Sequence, residues 1–398
     1  MQLAFNLLGI VVVFGICWLL SWQRKSINWK LIGKAFVIQL LLAVFIVKVP
    51  LGQQVISILS DGVTAVVNCG KDGVSFVFGD LADTSKMFVF AVASLGNIIF
   101  VSALVEFLYY IGALGFIVTH LGRLVKKLVG STEVESFVAT ANMFLGQTSS
   151  PVLISKYIGR MTESEIFVIL VAGMGSMDVS ILTAYVSMGI PMDYLLMASM
   201  LVPVGSILIA KMILPEMETC NNVDNLKIDN KGGNTNAIEA IMNGAGVGLQ
   251  VVLGICVALI AVIGMVALVN MILGFAGLSL EMIFGYVFCP FGYLMGFDTV
   301  TAMQEGTLLG QKLALNEFVA FGTLGAYIST LDSRTAMMCA ISLAGFANVS
   351  SMGICIGGIG ALCPEKKGVL SRIVVRAMLG GMLLSILSAM LCGLVALF

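Results

Sequence analysis

Gly310-Gln311-Lys312-Leu313-Ala314-Leu315-Asn316-Glu317-Phe318-Val319-Ala320 lies within a moderately apolar stretch, residues 297–334, that also carries Glu305 and Gly306. A helix facing lipid does not tolerate so many polar side chains, because each ionised group costs roughly 2.5–3.5 kcal/mol at mid-membrane. A second stretch of the same kind, residues 134–160, contains Asn142 and then Gly146-Gln147-Thr148-Ser149-Ser150-Pro151. Irregular polar backbone at membrane depth is allowed only where protein or water covers it. Both stretches therefore read as re-entrant hairpins that enter and leave on one side.

The rest of the chain supplies the membrane context. Of its 398 residues 59% are hydrophobic and only 11% charged, with a mean hydropathy of +1.06. A soluble protein carries about 25% charged residues, so this chain needs lipid as its solvent, and helices satisfy its backbone there. A net charge of −1 and a pI near 5.9 do not point to nucleic acid. Nine cysteines lie mostly in apolar runs with no C-x-x-C pair, the pattern of small buried hydrophobes rather than of disulfides or a metal site.

Eight spans are predicted near residues 3–22, 34–49, 87–112, 165–188, 193–214, 248–275, 335–362 and 370–397, the third running on toward Leu121. The first has basic residues after it rather than before it and no small-residue cleavage site, so it reads as a retained span and not a signal peptide. Basic clusters at Arg24/Lys25/Lys30/Lys34, Arg123/Lys126/Lys127 and Lys366/Lys367/Arg372/Arg376 fall on one side if both termini face outward. The polar segment Pro215 to Asn236, with Glu216, Glu218, Asp224, Lys227, Asp229, Lys231 and Gly232-Gly233, has the composition of a cytoplasmic linker. Ala172-Gly173 and Ala344-Gly345 each follow a hairpin and precede a polar residue inside an apolar span. This suggests an inverted repeat whose broken helices meet at the midplane, as in secondary transporters.

Candidate chemistry sits in the same places. Glu317 needs either a remote basic partner or a task, since Lys312 lies five residues away on a helix and points elsewhere. As a ligand group, its carboxylate takes two donors at once, which fits a vicinal diol. Gln147-Thr148-Ser149-Ser150 either satisfies free backbone at a hairpin tip or presents a planar amide to the edge of a base. Asn348 and Ser351 share a helix face, and Phe346 either packs in the core or stacks on a flat ring. Asn142, Ser176 and nearby carbonyls form an oxygen-only set suited to a small hard cation such as Na+. Asp178 is a second acid in an apolar span, open to solvation, cation binding or protonation, and His120 reads as an interfacial residue. There is no metalloprotease, P-loop or Rossmann pattern and no nucleophile–base pair, so an enzyme is not expected.

The segments Gly73-Val74-Ser75-Phe76-Val77-Phe78-Gly79, Gly146-Gln147-Thr148, Gly310-Gln311-Lys312 through Asn316-Glu317-Phe318-Val319-Ala320, and Phe346-Ala347-Asn348 with Ser350-Ser351 resemble the concentrative nucleoside transporters. The resemblance runs over nearly the whole chain. It implies an all-α integral membrane protein with eight transmembrane helices plus two re-entrant helical hairpins, in an inverted repeat. It also implies a homotrimer in the cell inner (plasma) membrane and an elevator-like transport domain moving against a scaffold, with no role for nucleic acid. On that pattern residues 1–120 would be scaffold helices and an interfacial segment, residues 247–280 a scaffold span, residues 121–214 and 281–398 the two halves of the transport domain, and residues 215–246 a cytoplasmic linker. Gln147 and Thr148 would contact the nucleobase beside Ile181; Glu317, Asn348 and Ser351 would hold the ribose beside Phe346. Asn142, Ser176 and the backbone of Leu145 and Met177 would bind Na+. Ser149 stands where the family commonly has Glu, so base selectivity does not carry over, and Asp178 is a candidate replacement for the lost carboxylate. Na+-driven nucleoside import is thus the expected function. The alternatives are coupling to H+ in the same fold, or transport of related nucleobase- or nucleoside-like metabolites.

Overall fold

Thr-x-x-Glu sequences begin two of the helices that matter most. Thr132 and Thr162 each accept a hydrogen bond from the backbone three residues on, and Glu135 and Glu165 reach back to complete the capping boxes. A computed structural model describes residues 2–218 and 233–398, and the described chain is built of helices.

The N-terminal part comprises α1 (Gln2–Leu20), α2 (Trp29–Lys48), α3 (Pro50–Phe78), the single turn α4 (Phe90–Ala93), α5 (Gly96–Tyr110) and α6 (Ala113–Val129). Two features here depart in detail from the sequence expectation. The 29-residue α3 falls between the second and third spans, within residues 1–120, where an interfacial segment was expected but no helix was placed. Its apolar residues are diluted by Gln53, Gln54, Asp61, Lys71 and Asp72, the pattern of a helix lying along an interface. The third span does not continue toward Leu121 either: Gly112 adopts φ +82, which ends α5 and starts an amphipathic α6 on a new axis.

The first hairpin occupies α7 (Glu133–Leu153) and the short α8 (Ser155–Ile158). Its helix is interrupted at Gly146, whose φ of +66 and ψ of −174 only glycine adopts cheaply. The expected fourth span is two half-helices, α9 (Glu163–Met174) and α10 (Val179–Ser187), followed by the continuous α11 (Met192–Ile213). Part of the linker, residues 219–232 with Asp224, Lys227, Asp229 and Lys231, lies outside the described residues. Its described edge is anchored: Glu216 accepts from Lys211 Nζ at 3.1 Å and from Thr162 Oγ1 at 2.9 Å. Burial alone would raise the Glu216 carboxyl, but the Lys211 ammonium and these hydrogen bonds hold it below the usual range.

The sixth span is far longer than expected. Helix α12 (Ala237–Gly274) has 38 residues, about 57 Å at 1.5 Å per residue, against ~30 Å of hydrocarbon. Only Ala240, Gly244, Gly248 and Val252 are buried, a four-residue stripe pressed on α5. A Cβ on Gly248 would come within 2.8 Å of Ile99 Cα, so the small residues are what allow the contact.

Next come α13 (Leu280–Leu294), not foreseen, and α14 (Thr299–Ala314), bent from it by 118°. Then follow α15 (Glu317–Gly325), α16 (Ser333–Leu343), α17 (Val349–Leu362) and α18 (Lys367–Ala396). Among the described residues seven segments are long and apolar enough to cross a membrane, or eight if α13–α14 counts as one bent span. The expected seventh span, 335–362, is not one of them, being split at residues 344–348.

The repeat is real but its register differs from the Ala-Gly match. N-cap Asp178 of α10 is answered by N-cap Asn348 of α17, 170 residues on. The same interval relates the caps Thr162 and Asp332, the hairpin residues Gln147 and Glu317, and the arm residues Glu135/Glu305 and Asn142/Lys312. The Ala172/Ala344 pairing is two residues out. Capping roles, not dipeptide identity, set the alignment.

Candidate functional site

The two breaks in the half-helices touch. Phe346 N–H donates to Ser176 O at 3.3 Å, joining the 344–348 segment to the 175–178 segment. Gly345, at φ +105, lies against the backbone of Gly175, and a Cβ there would meet Gly175 C at 2.7 Å. No other residue type fits this crossing.

Around it lies a cavity of about 300 Å³. Its walls are Gly146, Gln147 and Thr148 from the first hairpin, Asn316, Glu317 and Phe318 from the second, and Asp178, Ile181, Phe346, Asn348, Ser350, Ser351 and Ile354 from the half-helices. Side chains of both hairpins and both breaks thus converge on one volume, the size of a small-molecule site.

Glu317 is only 3% exposed. Tyr185 OH donates to its Oε1 at 3.2 Å and Asn348 Nδ2 to its Oε2 at 2.9 Å. An ionised carboxylate offers about four acceptor positions, so two remain for a ligand. Asn348 is held in turn, its Oδ1 capping α17 by accepting from Ser351 N–H at 2.8 Å. Among the described residues Glu317 makes no direct ion pair with a remote cation: its two side-chain partners are a phenol and an amide.

Across the cavity, Gln147 Nε2 donates to Ser351 Oγ at 3.2 Å, and Gln147 Oε1 accepts from Cys355 Sγ at 3.4 Å. These fix the plane of the amide while leaving one N–H and one lone pair free. Thr148 is exposed on the wall, whereas Ser149, half-buried, is not among the lining residues. Asp178 spends Oδ1 on Ser180, whose N–H and Oγ both donate at 2.8 Å. Its other oxygen lies beside Gly146, 3.5 Å from where a Cβ would stand.

The expected cation ligands also cluster. Asn142 is fully buried, and its Oδ1 lies 3.8 Å from the position a Cβ on Gly173 would take. Ser150 Oγ donates to that Oδ1 at 2.7 Å, and Ser176 Oγ donates to Gly173 O at 3.2 Å. Leu145, Ser176 and Met177 are buried alongside. A set of neutral oxygens at the C-terminal end of a half-helix suits Na+ rather than a transition metal.

Reasoning from sequence missed two contributors. Tyr185 looks like an ordinary residue of an apolar span, yet it orients Glu317 and packs on Phe318 and Phe321 with ring centroids 4.9 and 4.4 Å apart. The fourth wall, Val251, Gly254, Ile255 and Ala258, comes from α12 and carries no polar signal at all.

Comparison with known proteins gives the family. Models of the Na+ dependent nucleoside transporter match at the N-terminus over residues 8–81 and at the C-terminus over residues 194–393, with a nucleoside-recognition Gate model over residues 91–192. The nucleoside permease NupC of Helicobacter pylori is 37% identical, the match covering 98% of this chain and 97% of that one. Human solute carrier family 28 member 3 is 30% identical over 98% of this chain and 59% of that one. The structure of CNTnw in an inward-facing substrate-bound state superimposes with a TM-score of 0.95 at 34% identity, covering all of both chains. A substituted CNTnw in an outward-facing state gives 0.94 at 33% identity, covering 99% of this chain and 98% of that one. The chain is therefore an integral membrane transporter, not an enzyme, and belongs to the Na+-dependent, or concentrative, nucleoside transporter family.

Proposed function

We propose that the protein imports nucleosides by coupling their entry to a Na+ gradient. The carrying observation is Glu317, a buried carboxylate with two acceptor positions open to a cavity whose far side presents the Gln147 amide. A nucleoside has a vicinal diol at one end and a flat hydrogen-bonding ring at the other. Glu317, with Asn348 and Ser351, would take the ribose beside Phe346; Gln147 and Thr148 would take the base beside Ile181. Asn142, Ser176 and the carbonyls of Leu145 and Met177 would hold Na+, which supplies a positive charge that ties α7 to the α9–α10 break. Ser149, being off the wall, would contribute less to the base than Asp178, which lies on the wall beside Gly146. The wider reading is a homotrimer with both termini outside. In it, residues 121–214 and 281–398 move as a transport domain in an elevator-like cycle against residues 1–120 and 247–280.

Asp178 also favours a second reading, proton coupling in the same fold, because it is a carboxylate on the cavity wall with one oxygen lacking a hydrogen-bond donor among the described residues. Uptake of labelled nucleosides into vesicles under an imposed Na+ or H+ gradient tests both. No accumulation under either gradient ends the nucleoside symport reading. Transport that ignores Na+ but collapses with an uncoupler establishes the proton form.

A further inference from the structure

The repeat register sets Lys312 opposite Asn142, 170 residues apart at the ends of the corresponding hairpin arms. Lys312 is fully buried, and its Nζ makes three hydrogen bonds: to Ser342 O at 2.9 Å, Ala344 O at 2.9 Å and Ser385 Oγ at 2.8 Å. Ser385 Oγ already donates to the carbonyl of Met382 at 2.9 Å, so it accepts from the lysine. Three oxygens converging on one nitrogen match the three N–H bonds of an ammonium.

Its partners are all neutral oxygens, two carbonyls at the C-terminal end of α16 and one hydroxyl from α18. That is a ligand set for a small cation, placed where the unsatisfied carbonyls and negative dipole end of a half-helix attract positive charge. In the first repeat the C-terminal end of α9 receives no such ammonium from the described residues; Asn142, the counterpart of Lys312, approaches it with an amide oxygen. Glu305 stands close on the lysine's own helix, and its Oε1 accepts from Ser342 Oγ at 2.6 Å. The ammonium and this carboxylate therefore hold the two faces of one residue, Ser342, at the last turn before the break that carries Phe346 and Asn348.

We infer that Lys312 is a tethered cation, filling in the second repeat the place that an exchangeable coupling ion takes in the first. The ammonium itself stands on the geometry alone, whereas the comparison with a mobile ion rests on the Na+ reading above. In this view the protein has two cation positions at its two helix breaks. One is permanently occupied, holding the ribose side rigid, and only the other is free to report a gradient. Lys312 is a positioning residue for Asn348, and its own contacts do not include the cavity wall.

Lys312→Ala removes the three outer methylenes and the ammonium, a volume that n-propylammonium matches. The full-length protein, purified in detergent, is melted in choline chloride, in propylammonium chloride and with added propanol. Removing the ammonium leaves two buried carbonyls and a hydroxyl without their donor, so a fall in Tm of at least ~5 °C is expected in choline. Propylammonium should recover at least half of it and propanol almost none. Equal recovery by propanol, or none by propylammonium, would show a packing role only and overturn the inference. Lys312→Met fills the space without charge; native melting and native uptake in that variant would overturn it as well. Uptake by the unsubstituted protein with and without Na+ is measured in parallel. Sodium-independent uptake would sink the coupling reading, while the propylammonium result would still decide the nature of Lys312.

Discussion

Glu317→Gln offers a sharp test of how the cavity holds its ligand. In the native protein Tyr185 OH and Asn348 Nδ2 occupy one position on each carboxylate oxygen, leaving two that, on the proposed reading, take the diol. Glutamine keeps one acceptor oxygen and replaces the other with an NH2 group. If that oxygen stays with Tyr185, Asn348 faces a donor; if it turns to Asn348, the phenol does. In either pose at least one of the two diol hydrogen bonds is lost, and the remaining one no longer ends on a charge. Hydrogen bonds to charged groups contribute roughly 1.5–3 kcal/mol, so the loss corresponds to about 10- to 150-fold in affinity. Calorimetric titration of purified protein with a ribonucleoside and with its 2′,3′-dideoxy analogue would measure this directly. The variant should weaken the ribonucleoside by that factor and leave the dideoxy analogue within a few-fold of its native affinity. A ribonucleoside affinity within about threefold of native, in a protein that elutes and melts normally, would refute the assignment of Glu317 to the ribose.

Tyr185→Phe keeps the ring contacts with Phe318 and Phe321 but frees the Glu317 oxygen to rotate, and nucleoside affinity should fall by roughly 3- to 10-fold at unchanged melting temperature. Gly345→Ala places a Cβ within 2.7 Å of Gly175 backbone at a positive φ, so uptake should drop at least ~10-fold, with about 1–2 kcal/mol lost to the left-handed conformation alone; normal uptake would show that the two breaks separate easily. Glu216 has a carboxyl held below its ordinary range, so its ion pair stabilises above pH 4.5 and the contribution disappears as pH falls through the lowered folded value. Melting curves of Glu216→Gln should accordingly lie below native at neutral pH and converge with it in acid.

Much of the site was legible because polar residues in an apolar chain are conspicuous. Gln147, Glu317 and Asn348 stood out on that ground, and all three line one cavity. The half-helix breaks were anticipated for the same reason, since a polar side chain after Ala-Gly interrupts an otherwise continuous span. The bounds of helix α3 were not legible, because an interfacial helix has neither the unbroken apolarity of a span nor the polarity of a loop. The end of α5 at Gly112 turns on one left-handed residue, which hydropathy does not register. Tyr185 and the α12 wall are apolar by type, and only their tertiary position gives them a part in the cavity. Ser149 follows Thr148 in the motif but is not on the cavity wall, since neighbours on a helix face different ways.

The crossing of the two breaks has a consequence for how cargo is seated. A frame made of related halves would, with matched chemistry, accept a molecule equally well either way round. Here the pairing is exchanged: the longer side chain at the tip is an uncharged amide in one half and an acid in the other, and at the break the acid and the amide trade places. Only one end of the chamber therefore extends a long anionic arm, held by a phenol. A molecule with hydroxyls at one end and an aromatic ring at the other would meet a directional seat.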